Sequence, residues 1–528
     1  MNERSAVASG ERSNPYDVVD YPGHAFPDTH PARLAAIGVL RGLEPTPVAG
    51  CRVLELGCGD GANLIPMAYQ LPDARFVGID LAAAPVERGR VLASALSLPN
   101  LELRVMDILA ASTALGQFDY IIAHGVYSWV PEPVREHMLA LCRLLLAPNG
   151  IAFISYLAHP GAQLRDVLRQ SLLQYGSNAA DPAVRIARAR ELARAFGGKL
   201  DSPDPFQQAL RREARGLEEW ADGPLYHDWL APINAPMRIT DFMAQASRHG
   251  LGFLGEAEYF AMCWRHDPLL AEARAELAAA EERDILLKEQ LLDELRCRRF
   301  RQTLLCHDDV VRSAPSPDRV LRLAAASRLR PVAAPQLSDA SVAEFRSPHD
   351  IAVRVDHPVA KAALVHLHRD WPRAVPGDEL LAAARVASGR KGPETATADA
   401  EVLGSVLLAC ADAAHVELSA WRPPFVLAAG ERPRASAVAR AQLALGHQVT
   451  TLRHGTLSIE DPVGRALLVL LDGTRTRAQL VDELARLVGA GRLPVPAATT
   501  PADDLHGQLA NGLEQSLLGL AQAPLLEA

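Results

Sequence analysis

The chain has 528 residues, 49% apolar and 22% charged, and its 54 basic against 63 acidic side chains give a formal charge of -9. That composition excludes a mostly disordered or collagen-like chain, and it offers no basic excess of the kind that neutralises nucleic-acid phosphates. At roughly 150 residues per domain, the length predicts three or four globular units.

Seven cysteines, with no C-x-x-C pair, predict no metal site and no disulfide framework. The opening segment, MNERSAVASGERSNPYD, has no apolar core, and no apolar run reaches the roughly 18 residues that span a bilayer. A cytoplasmic chain without a membrane segment is the expectation. Only Lys199, Lys288, Lys361 and Lys391 are lysines, a skew that codon bias explains.

In chain order, Tyr16-Asp17-Val18-Val19-Asp20-Tyr21-Pro22 and Thr29-His30-Pro31 precede the first strand. One reading makes this stretch a lid, with Tyr16, Tyr21 and His30 facing a ligand. The other makes it a helix on the sheet edge, with Thr29 capping the helix that Pro31 begins.

Residues 51–156 then alternate short apolar runs with amphipathic stretches. Strands are expected at 52–56, 75–79, 101–105, 118–122 and 151–155, and helices at 61–70, 84–98 and 132–147. Pro148-Asn149-Gly150 supplies a helix stop and a turn. The pattern is that of an α/β, doubly wound Rossmann-like sheet with parallel strands. From 157 to about 235 the pattern is helical. It continues as a helix that Gly250 ends, a strand near 252–259, a long Leu/Ala-rich helix over 267–296, and a strand in FRQTLLCH at 300–307. The long helix suits a packing or dimer surface.

Five regions follow from this: 1–160 as core and lid, 161–235 as a helical insertion or cap, 236–312 as a regulatory region with the last strands, 313–430 as an α+β middle domain, and 431–528 as a winged-helix-like unit. Ser313-Ala314-Pro315-Ser316-Pro317-Asp318 marks the fourth boundary. In LDGTRTRAQLVDEL a helix ends, turns, and restarts under a threonine cap. The Ala- and Pro-rich tail after Pro494 is expected to be loosely held.

The chemistry concentrates in Glu55-Leu56-Gly57-Cys58-Gly59-Asp60-Gly61-Ala62-Asn63-Leu64, where the first strand turns into the first helix. Alternate glycines let the backbone turn sharply, and a helix starting near Gly61 would aim free N–H groups into the turn. A pyrophosphate-binding G-x-G-x-x-G is the competitor, but this turn is G-x-G-x-G with an acid before it. Asp80 ends the second strand, where an acid accepts ribose hydroxyls. Asp107, just past the third strand, can accept from an adenine amino group while the Ile108 amide meets a ring nitrogen. Asn63 and Leu81 complete the cofactor-binding set. Cys58 reads as a small residue rather than a nucleophile.

These residues resemble the class I S-adenosylmethionine-dependent methyltransferases. The resemblance implies that Glu55, Gly57, Gly59 and Gly61 hold the methionine part of S-adenosylmethionine, Asp80 its ribose, and Asp107 with Ile108 its adenine. A narrower resemblance, carried by YDVVDYPGHAFPDTHPARLAAIGVLRGL, AHGVYSWVP, LYHDWLAPINAPMRITDF and FRQTLLCH, is to methyltransferases bearing a methyltransferase regulatory domain. That group includes protein-lysine methyltransferases acting on a bacterial outer-membrane protein. It implies an enzyme that methylates lysine on a protein, with a small-molecule or peptide acceptor and a non-catalytic cofactor-binding regulator as alternatives. A homodimer is compatible with it, and nucleic acid is not expected as a partner.

The acceptor should meet the methyl at the end of the fourth strand, in Ala123-His124-Gly125-Val126-Tyr127-Ser128-Trp129. His124 is a base, a cofactor contact, or a satisfied strand-end histidine. Tyr127 and Trp129 line an acceptor channel or pack beneath a loop. With Tyr16 and Tyr21, His124 and Tyr127 form the catalytic candidates. His227 beside Asp228, in the insertion, suits an interface better than catalysis, because neighbours on a helix face different ways.

Overall fold

The structure is a computed structural model and describes residues 14–176, 178–198, 203–390, 392–494 and 505–528. Lys199, Lys391, most of the opening segment and the start of the tail lie outside the described residues. The apolar runs form β1 (Arg52–Leu56), β2 (Arg75–Asp80), β3 (Leu101–Val105), β4 (Phe118–Ala123) and β5 (Leu146–Leu157). With β6 (Leu251–Glu256) and β7 (Phe300–His307) they make one seven-stranded sheet in the order β3-β2-β1-β4-β5-β7-β6. The first five strands run parallel, and β7 is antiparallel to both its neighbours. Burial on both faces explains why the central strands read as mainly apolar runs rather than as alternating ones.

The helices that position the site are α1 (Pro15–Val18), α2 (Pro31–Leu40), α3 (Leu64–Gln70), α4 (Ala83–Ala95) and α5 (Glu132–Leu145). His30, not Thr29, caps α2: its Nδ1 accepts from the Ala32 amide at 3.1 Å. Pro148-Asn149-Gly150 lies inside β5 rather than between elements. Leu146 already pairs with Phe118, and the register shifts before Tyr120 meets Ile151. The strand expected near 252–259 stops at Glu256, and Tyr259–Met262 is a 3-10 turn.

The insertion holds α6 (Ala162–Tyr175), α7 (Pro182–Gly197) and α8 (Pro205–Gly216) around their own apolar centre, with Leu168, Leu172, Ile186, Leu225 and Trp229 buried. The stretch expected as one long helix over 267–296 is broken. A 3-10 segment leads to helix Arg274–Arg283, and Asp284 then caps a second helix, Ile285–Arg296. That second helix buries charge. Arg301 of β7 pairs with Glu256 at 2.5 Å, Asp293 at 2.8 Å and Glu289 at 3.0 Å, all of them buried. Lys288 pairs with Glu289 at 2.6 Å. Losing one member of such a buried group costs about 3–5 kcal/mol.

The middle region shares its core with the sheet domain. Val320, Phe345, Leu364 and Leu403 join α2 and one face of the sheet in a single apolar cluster. The C-terminal region has a separate core of Leu467, Leu480, Leu484, Leu513 and Leu517. Thr476 caps helix Arg477–Gly489 in a full capping box with Gln479. The described part of the tail is held rather than loose. Helix Leu505–Gln522 packs on this core, and Leu526–Glu527 pairs with Arg434–Ala435.

Candidate active site

The carboxyl ends of β1, β2 and β3 bring Glu55, Gly57 to Gly61, Asn63, Asp80, Leu81, Asp107 and Ile108 to one edge of the sheet. Gly57, Gly59 and Gly61 have φ of 76°, 54° and 71°, the left-handed region that favours glycine. A β-carbon on Gly57 would also collide with Val126 from the end of β4.

The loop amides do not point outward as expected. Gly57 and Cys58 both donate to the Ile79 carbonyl, Gly59 to Asp80 Oδ2, Gly61 to the Cys58 carbonyl, and Ala62 to Asp60 Oδ1. Because α3 starts at Leu64, three residues after Gly61, the turn uses its own donors to hold its shape. That leaves little for a pyrophosphate to bind, so the glycines serve backbone geometry instead.

Acceptors dominate the edge. Asp80 holds the Gly59 amide on Oδ2 and the Ala82 amide on Oδ1, both at 2.8 Å. Asp107 is exposed and caps the short turn after β3 through the Leu109 amide at 2.9 Å. Glu55 is buried. Its Oε1 accepts from Asn63 Nδ2 at 2.8 Å, while its Oε2 has no hydrogen-bond partner among the described residues. Burial pushes this carboxyl up to about 8. A buried acid with one open oxygen is a fitting seat for a ligand ammonium. Leu81, apolar yet 60% exposed, offers an open face beside Asp80. Cys58 is buried against β2 and burial raises its thiol, which agrees with a space-filling role.

The N-terminal stretch lies across this loop. Asp17 accepts from the Ala84 amide at 2.9 Å, Asp20 pairs with Arg88 at 2.5 Å, and a β-carbon on Gly23 would strike Asp60. Tyr16 stacks on His227 with ring centroids 3.9 Å apart, and Tyr21 donates to Asp228 at 3.3 Å. The His227–Asp228 pair therefore joins the insertion to the lid, with His227 Nε2 also donating to the Val19 carbonyl at 2.8 Å. Burial raises both tyrosine hydroxyls, so they stay protonated at neutral pH.

His124 directly follows β4, with its ring 4.0 Å from that of Phe26 and with Phe153 and Phe300 also against it. Its Nδ1 has no partner among the described residues, and burial lowers its pKa to about 4, which keeps it neutral. Tyr127 is not beside it. The ring is fully buried among Tyr156 and Phe242, and its hydroxyl donates to Gln245 at 2.7 Å. Tyr127 packs the core beneath the loop and is withdrawn from the catalytic set. Trp129, two residues further on in the same 3-10 turn, is only partly buried.

Sequence reasoning passed over Phe26 and His454, and it read Thr29 only as a helix cap. The Phe26 amide donates to Asn63 Oδ1, Thr29 accepts from Asn63 Nδ2, and His454 reaches Asn63 from the C-terminal domain. Phe26 and Thr29 lie in the N-terminal stretch expected to be a lid or an edge helix, and no local signal marks His454.

Comparison with known proteins gives this geometry its context. A "Methyltransferase domain" profile matches residues 53–150, a "Predicted methyltransferase regulatory domain" 222–307, and a "PKMT, C-terminal winged helix domain" 431–525. One uncharacterised protein of Rickettsia prowazekii is 34% identical over 234 residues, covering 44% of this chain and 94% of its own. Another from that organism is 37% identical over 298 residues, or 56% of this chain, which spans 53% of that relative's length. The structure of PKMT2 from Rickettsia typhi is 25% identical, with a TM-score of 0.84 over 96% of this chain and 100% of that one. The same protein in complex with AdoHcy matches with a TM-score of 0.83. Among the described residues no helix is long and apolar enough to cross a membrane. An acid-rich, amide-poor turn with an open buried carboxylate oxygen fits S-adenosylmethionine, and the chain belongs to the S-adenosylmethionine-dependent methyltransferases that carry a methyltransferase regulatory domain.

Proposed function

We propose that the protein transfers a methyl group from S-adenosylmethionine to the side-chain amine of lysine in a protein substrate. The observation that carries this reading is the extent of the likeness to PKMT2, which runs through the C-terminal winged-helix domain as well as the sheet. Bound S-adenosylmethionine supplies an electrophilic methyl on sulfur, open to in-line displacement.

The remaining work falls to side chains of this chain. Glu55 Oε2 receives the cofactor ammonium, Asp80 the ribose hydroxyls, and Asp107 with the Ile108 amide the adenine. His124, neutral and packed on Phe26, adds no positive charge where an amine and a sulfonium must meet. The ring faces of Phe26 and Tyr16 attract a cationic centre. Tyr16 and Tyr21 keep their protons and serve as hydroxyl partners that orient the amine. Asp228, pushed up to about 6 by burial and bonded to Tyr21, is an acceptor beside them.

The reading includes a cytoplasmic location and a homodimer through the face of the 268–296 helices, where Leu269, Leu287 and Leu295 are exposed. Nucleic acid is no part of it. In the C-terminal domain Arg434, Arg475, Arg477 and Arg486 are each paired with a carboxylate. Radiolabelled S-adenosylmethionine incubated with the protein and a bacterial cell extract tests the proposal. Label in the protein fraction is expected; label confined to small molecules contradicts it.

A further inference from the structure

His454 occupies the turn between Gln448–Thr450 and Thr456–Ser458, a hairpin of the C-terminal domain. Its φ is 62°, a left-handed conformation that a residue with a β-carbon adopts only at a cost. The turn carries the buried ring across to the cofactor loop, where Nε2 lies 2.9 Å from Asn63 Oδ1, 391 residues away in sequence.

The Phe26 amide settles which atom is which. A backbone N–H only donates, so the Asn63 atom 3.0 Å from it is the oxygen. His454 must therefore donate from Nε2, and Asn63 Nδ2 donates onward to Glu55 Oε1. Burial keeps the imidazole neutral, so it has a single N–H, and that N–H is committed to Asn63. The row ends at Glu55 Oε2, the open oxygen facing no partner among the described residues.

We infer that His454 is a positioning residue for the cofactor: it fixes Asn63, Asn63 orients the Glu55 carboxylate, and the C-terminal domain thereby takes part in cofactor binding. The same domain grips the far end of α3, where the Tyr69 hydroxyl donates to Glu527 at 2.7 Å. The first contact is joined to the acid of the site; the second is not.

The inference rests on the cofactor reading of Glu55, and the two are separable. If the wild-type chain binds no S-adenosylhomocysteine, that reading fails. If the wild type binds and His454→Ala binds equally well, only the inference fails. Calorimetric titration of S-adenosylhomocysteine should show about tenfold weaker binding for His454→Ala, while His454→Gln, which keeps an N–H donor, returns to within about threefold. Tyr69→Phe, which loosens the same domain without touching the row, should stay within about twofold of wild type. Equal weakening by Tyr69→Phe and His454→Ala, or no rescue by glutamine, overturns the inference. Coupling is reciprocal, so saturating S-adenosylhomocysteine should slow amide exchange in the wild-type hairpin 448–458. Unchanged exchange there overturns the inference even if His454→Ala does not fold.

Discussion

Both carboxylate oxygens of Asp80 hold loop amides at 2.8 Å, and each keeps a second lone pair for a ligand hydroxyl. Asp80→Ala therefore releases the glycine turn and removes the proposed ribose contact together. Calorimetry should show S-adenosylhomocysteine affinity falling at least about tenfold, or about 1.4 kcal/mol; unchanged affinity would remove Asp80 from the site. Glu55 gives a pH signature. Burial raises it from 4.5 to about 8, so the folded chain holds a proton that the unfolded chain releases. Its proton-linked stability is full below the unfolded value and is lost as pH rises through about 8. A ligand ammonium against Oε2 favours the carboxylate, so binding at pH 7 should release protons. Titrations in buffers of different ionisation heat should then give different enthalpies, whereas equal enthalpies would place the ammonium elsewhere.

At the scale of elements, the glycines of the turn take the backbone geometry their spacing predicts, although its amides turn inward. Gly57 has both a positive φ and Val126 against the place of a β-carbon, so Gly57→Ala is strained twice. It should lower stability by about 1–3 kcal/mol and abolish measurable cofactor binding, read by thermal melts and titration. A variant with wild-type stability and affinity would contradict this account of the turn. The strands were legible because each is a short apolar run between turn residues, and β1 and β3 fall where expected. The break at Asp284 was not, because a stretch of Leu, Ala, Glu and Arg reads as one continuous helix, and only the fold shows Asp284 capping a second helix that buries its acids against Arg301 of the strand that follows. Tyr127 misled for a similar reason. Its neighbour His124 faces Phe26 at the ligand edge, while Tyr127 follows the turn down into the core of Tyr156 and Phe242.

The whole molecule joins parts that sequence spacing treats as separate. The middle region closes one face of the sheet through α2, the lid ties the cofactor loop to the insertion through Tyr16 and His227, and His454 brings the C-terminal domain to Asn63. The residues proposed to hold the cofactor are legible because they lie at successive strand ends within about sixty positions of one another. The contacts that close the site come from residues hundreds of positions apart, and no local pattern encodes them. The reaction proposed for this assembly is methylation of the lysine amine in a protein substrate. Its most direct test is complete hydrolysis of the protein fraction labelled by radioactive S-adenosylmethionine, followed by separation of the amino acids. Label should co-elute with N-methylated lysine and be absent from reactions with Asp80→Ala; label on another amino acid, or label released as volatile methanol by mild base before hydrolysis, overturns the lysine assignment.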